Sequence, residues 1–122
     1  MAKIIDSVRL PYNAKVAATG TGTIRSDRVA NGQMLVCQSI AFRNQTGARG
    51  TASLRIKQSG VVYDLGDQAS PAANQWYYYA YPVYVNEGEQ IEVSQASCVA
   101  DDVLDLVIVG YIEYKRDYKR TS

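Results

Sequence analysis

Residues 75–93 read Gln75-Trp76-Tyr77-Tyr78-Tyr79-Ala80-Tyr81-Pro82-Val83-Tyr84-Val85-Asn86-Glu87-Gly88-Glu89-Gln90-Ile91-Glu92-Val93. The stretch holds five of the ten tyrosines and the single tryptophan. It reads as a strand, a tight turn at Asn86-Glu87-Gly88, and a second strand. Because successive strand side chains point to opposite faces, Tyr77, Tyr79, Tyr81, Val83 and Val85 share one face, and Trp76, Tyr78, Ala80, Pro82 and Tyr84 the other. Both faces are aromatic. One can line a core, and the other then needs a partner. Half-polar aromatic surface of this kind suits packing on protein, with a sugar platform as the alternative, better than it suits catalysis.

The same two-residue alternation recurs along the chain, and no window of helical length repeats apolar positions at a spacing of three and four. Strands are predicted at about 3–10, 20–26, 33–44, 51–58, 61–65, 75–85, 89–96 and 102–114. Ala52, Leu54 and Ile56 alternate with Ser53, Arg55 and Lys57, a strand with one wet face. The last strand differs: Leu104, Leu106, Ile108 and Ile112 fill one face while Val107, Val109 and Tyr111 occupy the other. A strand apolar on both faces is covered on both sides, so a second cover from another subunit or a crossing segment is expected. Ala30-Asn31-Gly32, Gly47-Ala48-Arg49-Gly50, Ser59-Gly60 and Asn86-Glu87-Gly88 supply turns. Residues 64–74 read as a surface loop. Residues 1–22, interrupted by Pro11 and Thr19-Gly20-Thr21-Gly22, allow an N-terminal arm as well as a strand. The expectation is an all-β protein, a single-domain antiparallel β-sandwich over residues 1–122 with about eight strands.

A chain of 122 residues that is 47% hydrophobic can bury a core without disulfides or metals. Thirteen basic and twelve acidic side chains leave a net charge of +1, which makes nucleic acid an unlikely partner. The N-terminus lacks a signal-peptide apolar segment, and no run approaches the ~18 apolar residues of a membrane helix, so synthesis in a cytoplasm and no membrane partner are expected. There is no histidine. That removes the commonest general base and metal ligand and every Ser-His or Cys-His pair, and no serine sits in a nucleophile motif, so no enzyme, no catalytic residue and no cofactor are expected.

Other motifs are weaker. Cys37 and Cys98 fit no metal or redox spacing and read as free thiols, with a disulfide as the alternative. Asp101, Asp102 and Asp105 read as a solvated turn before the last strand, with calcium binding as the alternative. Gly20-x-Gly22 lacks the rest of a phosphate loop. The tail Tyr114-Lys115-Arg116-Asp117-Tyr118-Lys119-Arg120 places four cations and two tyrosines within seven residues. It reads as a basic C-terminal arm over 115–122 that docks on acidic protein surface, against a plain soluble terminus or a strip for single-stranded nucleic acid.

The segments Gly32-Gln-Met-Leu-Val-Cys-Gln-Ser-Ile-Ala-Phe-Arg-Asn, Val85-Asn-Glu-Gly-Glu-Gln-Ile-Glu-Val and Leu104-Asp-Leu-Val-Ile-Val-Gly-Tyr-Ile together resemble the small jelly-roll head decoration, or cement, proteins of tailed bacteriophages. The final Leu-Val-Ile-Val-Gly-Tyr phrase also looks like the last strand of trimeric TNF-like and C1q-like jelly rolls. The resemblance implies a jelly roll that trimerises on the capsid exterior and clamps a major capsid protein with its arms. It implies Tyr79, Tyr81, Val109 and Tyr111 as trimer-face residues and the termini as clamps. Together with the aromatic surplus, this makes Trp76, Tyr77, Tyr78, Tyr79, Tyr81, Val109, Tyr111, Lys115, Arg116, Tyr118, Lys119 and Arg120 the candidate oligomer or capsid interface. The rival from another class is a carbohydrate- or receptor-binding module such as a tail-fibre tip.

Overall fold

The computed structural model of the chain describes residues 4–58 and 60–114; the basic tail over 115–122 lies outside them. Among the described residues nine strands follow one another: β1 (Ile4–Lys15), β2 (Gly20–Arg25), β3 (Gln33–Asn44), β4 (Ala52–Gln58), β5 (Val61–Gln68), β6 (Tyr77–Tyr79), β7 (Val83–Asn86), β8 (Gln90–Cys98) and β9 (Val103–Tyr114). All their pairings are antiparallel. They nest: β1 pairs with β9, β2 with β8, β3 with β6 and β7, and β4 with β5, as in one long hairpin. Two further ladders, β3 with β9 and β4 with β8, roll that hairpin into sheets ordered β1-β9-β3-β6/β7 and β2-β8-β4-β5. This is the connectivity of a jelly roll, in which no strand edge lies inside the sandwich.

The core lies between the sheets. Leu35, Cys37, Ile40, Leu104, Leu106 and Ile108 from the first sheet meet Ile24, Leu54, Ile91 and Val93 from the second. Cys37 and Cys98 are both buried free thiols, and burial pushes the Cys37 thiol up to about 12. Gly22 packs so closely that a Cβ there would lie 2.7 Å from Val16 and 2.9 Å from the Cys98 sulfur. Gly22 therefore serves packing, whereas Gly20 has open space around it and takes a φ of 138°.

Three expectations change. Of the two readings of the N-terminus, residues 4–15 take the strand: β1 pairs with β9 over twelve consecutive residues, and Val8, Leu10, Tyr12 and Ala14 pack on the core. The pattern is hard to read because Pro11 and Asn13 fall on the outer positions of an edge strand, where neither disturbs the single ladder. The loop expected at 64–74 begins later, since β5 runs to Gln68 against β4. A bulge at Leu65 and the residues Asp64, Gly66 and Asp67 hide that strand's alternation. The single strand expected at 75–85 is two. Pro82 has no N–H to donate, and Gln38, facing the gap, is the extra residue of a bulge between β3 and β9.

A buried polar cluster closes one end. Asp102, 1% exposed, accepts hydrogen bonds from Arg49 Nε at 2.7 Å and Nη2 at 2.9 Å, from Asn44 Nδ2 at 3.2 Å, and from the Val99 amide at 3.0 Å. Asn44 also donates to Gln95 Oε1 at 3.1 Å and accepts from the Thr46 amide at 2.9 Å. The 44–50 loop, the β8–β9 turn and the end of β3 are thereby joined. The hydrogen bonds from Arg49 outweigh burial and hold the Asp102 carboxyl well below the usual carboxylate range.

Since the folded value is depressed, the stability that Asp102 contributes is whole above the unfolded carboxyl value of about 3.9 and is lost as pH falls below it. Asp102→Asn should lower the thermal midpoint at pH 7 by about 5 °C or more and flatten the acid limb of the stability curve, read by circular dichroism between about pH 7 and 2. On β9, a Cβ at Gly110 would overlap the Val36 carbonyl oxygen across the ladder. Gly110→Ala should therefore cost about 3 kcal/mol in urea unfolding, the upper part of the range for overpacking.

Candidate functional site

The two outer faces of the sandwich differ in chemistry. On the second sheet the register sets Arg25, Glu92, Arg55 and Asp64 side by side across four strands, alternating in charge. Arg25 Nε lies 2.6 Å from Glu92, Lys57 Nζ 3.7 Å and Arg55 Nη1 3.8 Å, so one buried carboxylate gathers three cations. Thr23, Ser94 and Ser53 form the neighbouring row. This face is ionic and polar.

The first sheet presents the opposite. Counting across β1, β9, β3 and the β6/β7 edge, one outer row is Ser7, Tyr111, Val36 and Tyr84; the next is Arg9, Val109 and Ser39; the next is Pro11, Val107, Ala41 and Tyr78. Small residues at Ser39 and Ala41 leave a trough of about 340 Å³ floored by them with Val107 and Val109, walled by Trp76 and Tyr78 on one side and Arg9 on the other. Tyr78 is 69% exposed and Val109 41%. The end of the trough is a polar row: Asp105 accepts from Arg43 Nε at 2.8 Å, Asn13 Nδ2 at 2.7 Å and Gln45 Nε2 at 2.6 Å, and Arg43 lies 4.5 Å over the Trp76 ring. Burial alone would raise the Asp105 carboxyl; the hydrogen bonds from Arg43, Asn13 and Gln45 outweigh it and lower it. Arg43 is thus engaged by Asp105, Asn74 and Trp76, whereas Arg9 stands exposed at the rim.

The sequence-predicted residues divide between the two sides of this sheet. Trp76, Tyr78, Val109 and Tyr111 face outward, and three of them line the trough or its floor. Tyr77 and Tyr79 face inward, half-buried against the core, with Tyr77 stacked on Phe42 at 6.1 Å and its hydroxyl accepting from the Ala72 amide at 2.7 Å. Tyr81 falls in the break between β6 and β7, so it leaves the inward face of Tyr77 and Tyr79 and is exposed, edge-on to Tyr79 at 5.4 Å. Lys115, Arg116, Tyr118, Lys119 and Arg120 lie outside the described residues. The three aspartates in and just after the β8–β9 turn part company: Asp101 is exposed at φ 73°, while Asp102 and, on β9, Asp105 are buried beside separate arginines. The solvated-turn reading therefore holds for Asp101 alone, because the other two carboxylates are needed as hydrogen-bond acceptors. Among the described residues no three His, Cys, Asp or Glu side chains group to hold a metal ion.

Sequence reading missed Arg9, Ser39, Ala41 and Val107 as parts of the site. A signal existed in the alternation of Arg9 with Val8 and Leu10, but only the cross-strand register brings these four residues together.

No family model and no curated protein matches the chain. Among solved structures it is similar to PirA, at 12% identity and a TM-score of 0.48 over 82% of this chain and 93% of that one. It is similar to the PRD1 vertex protein P5, at 13% identity and a TM-score of 0.45 over 86% and 96%. A point mutant of a family 29 carbohydrate-binding module is similar at 10% identity and a TM-score of 0.39 over 93% and 81%.

The two sides of the aromatic segment should separate in a stability assay. Tyr78→Ala is expected to leave the thermal midpoint within about 2 °C, as for exposed surface changes. Tyr77→Ala, which removes a ring packed on Phe42, should lower it by several degrees, both read by scanning calorimetry.

Proposed function

We propose that the protein is a structural virion component, a decoration or cement protein that oligomerises on the exterior of a phage head and stabilises it by contacts with its own copies and with the major capsid protein. The outer face of the β1-β9-β3-β6/β7 sheet carries this reading. It sets a tryptophan, a tyrosine and an exposed arginine, residue types enriched at protein interfaces, around a trough floored by valines, on a molecule whose other outer face is ionic. The second cover expected for β9 is then supplied by another protein chain. Many copies, each binding weakly, would act together through multivalency, with no cofactor and no turnover. The termini, including Lys115, Arg116, Tyr118, Lys119 and Arg120, would serve as clamps.

The second reading is a carbohydrate- or receptor-binding module. It is favoured by one observation, the Trp76 ring held by Arg43 beside the exposed Tyr78 ring. Glycan-array binding that Trp76→Ala or Tyr78→Ala abolishes in a folded protein would establish it in place of the first.

The virion reading predicts a native mass that is a multiple of the 13.4 kDa chain, three being the number expected, and co-sedimentation with intact capsids. Val109→Asp, which sets a charge on the open floor of the trough, should abolish both while the circular dichroism spectrum is kept. A monomer that does not pellet with capsids at any concentration would sink the proposal.

A further inference from the structure

On the β4–β5 hairpin, Val61, Val62 and Tyr63 are consecutive, large, apolar and exposed, and they lie on the outer edge strand of the second sheet. Three such residues in a row on an unpaired edge are unusual, since edges are ordinarily protected by charge, proline or brevity. Next to them stands Asp64, whose side chain is 77% exposed and which lies 3.5 Å from Arg55, a residue that also reaches the buried Glu92 in the alternating row. Val62 and Asp64 are two residues apart and so share a face, with Lys57 and Arg55 as their cross-strand partners. On the outer face the hairpin edge is therefore one apolar knob, Val62, with one carboxylate, Asp64, beside it, while Val61 and Tyr63 point to the opposite face.

The trough on the first sheet has the reverse character. Its floor, Val107 and Val109, is apolar, and its rim cation, Arg9, is exposed on an edge strand. Arg9 faces Val109 across the ladder and Pro11 faces Val107, so the cation and the deeper apolar floor are also separated by two residues, about 7 Å along the strand. Val62 and Asp64 lie about 7 Å apart on one strand, and Val107 and Arg9, offset by two residues and one strand, about 8 Å, so the two pairs reach over similar distances. Knob and trough lie on different sheets of one molecule, so a chain cannot satisfy itself.

We propose that the β5 edge of one subunit seats in the outer trough of a second copy, Val62 on the Val107 and Val109 floor and Asp64 against Arg9. The contact joins different patches of the two copies, so it is head-to-tail. It closes into a ring when the rotation per step permits. It rests on the reading of the first sheet's outer face as an interface and names what covers it.

The test is charge reversal with the full chain, read by light scattering after size exclusion. Arg9→Asp and Asp64→Arg should each weaken self-association at least tenfold at low salt and shift the mass towards 13.4 kDa. The double variant, Arg9→Asp with Asp64→Arg, should recover the wild-type mass. Both side chains are exposed, so the thermal midpoints should stay near wild type. If Asp64→Arg fails to fold beside Arg55, Asp64→Asn and Val62→Ser should each show the weakening instead. A wild-type oligomer indifferent to the single reversals, or a double variant that stays dissociated, overturns the contact. Capsid binding that persists in such an oligomer leaves the virion reading standing. An oligomer that obeys the reversals yet ignores capsids fails the virion reading and keeps the contact.

Discussion

Nesting of the chain as a rolled hairpin forces its last strand into the middle of a sheet, between β1 and β3, where both edges are hydrogen bonded. With an alternation of two, the register decides at once which half of β9 enters the core. Two anchors fix it. At one end Asp102, bound by Arg49 and Asn44, pins the turn before the strand. Near the other end Gly110 sits where only hydrogen fits beneath the Val36 carbonyl. A slip of one residue would expose Leu106 and Ile108 and bury Val107 and Val109 in their place, losing both anchors. Because these fix the inner face, the outward position of Val107, Val109 and Tyr111 follows as a consequence.

That consequence separates the two sheets. Across the second, charges alternate from strand to strand, and each ionic contact adds little stability alone. Together they keep water on the surface and make it a poor apolar partner. Across the first, Asn13, Asp105 and Arg43 satisfy each other in one row beside Trp76. The rows beyond it are mostly valine, alanine and tyrosine, with Ser7, Ser39 and the exposed Arg9 among them. A sandwich whose faces are so unequal has a direction, one face largely apolar and the other ionic apart from Val62 at its edge.

Two irregularities position the aromatic segment. The bulge at Gln38 and the missing N–H of Pro82 divide it into β6 and β7. The division frees Tyr81 while Tyr77 and Tyr79 stay locked on the core. Tyr78 and Trp76 then form the trough wall, with Trp76 steadied by the cation above its ring. A continuous strand would have carried Tyr81 inward with its neighbours.

The sequence alone determined that the chain is a β-sandwich, because alternation is a local property of each strand. Ala52, Leu54 and Ile56, or Leu104, Leu106 and Ile108, announce a buried face without reference to anything else. It likewise determined that β9 and the segment 75–85 carry more apolar surface than one core can use. It left β1 ambiguous, since Pro11 and Asn13 mask a pattern that only the partner strand makes legible, and it did not distinguish Asp102 and Asp105 from a solvated turn, since their arginines lie 53 and 62 positions away. The trough belongs wholly to the tertiary structure. Arg9, Ser39, Ala41, Tyr78 and Val109 come from four strands, and cross-strand register, a product of chain closure rather than of local composition, is what makes them neighbours.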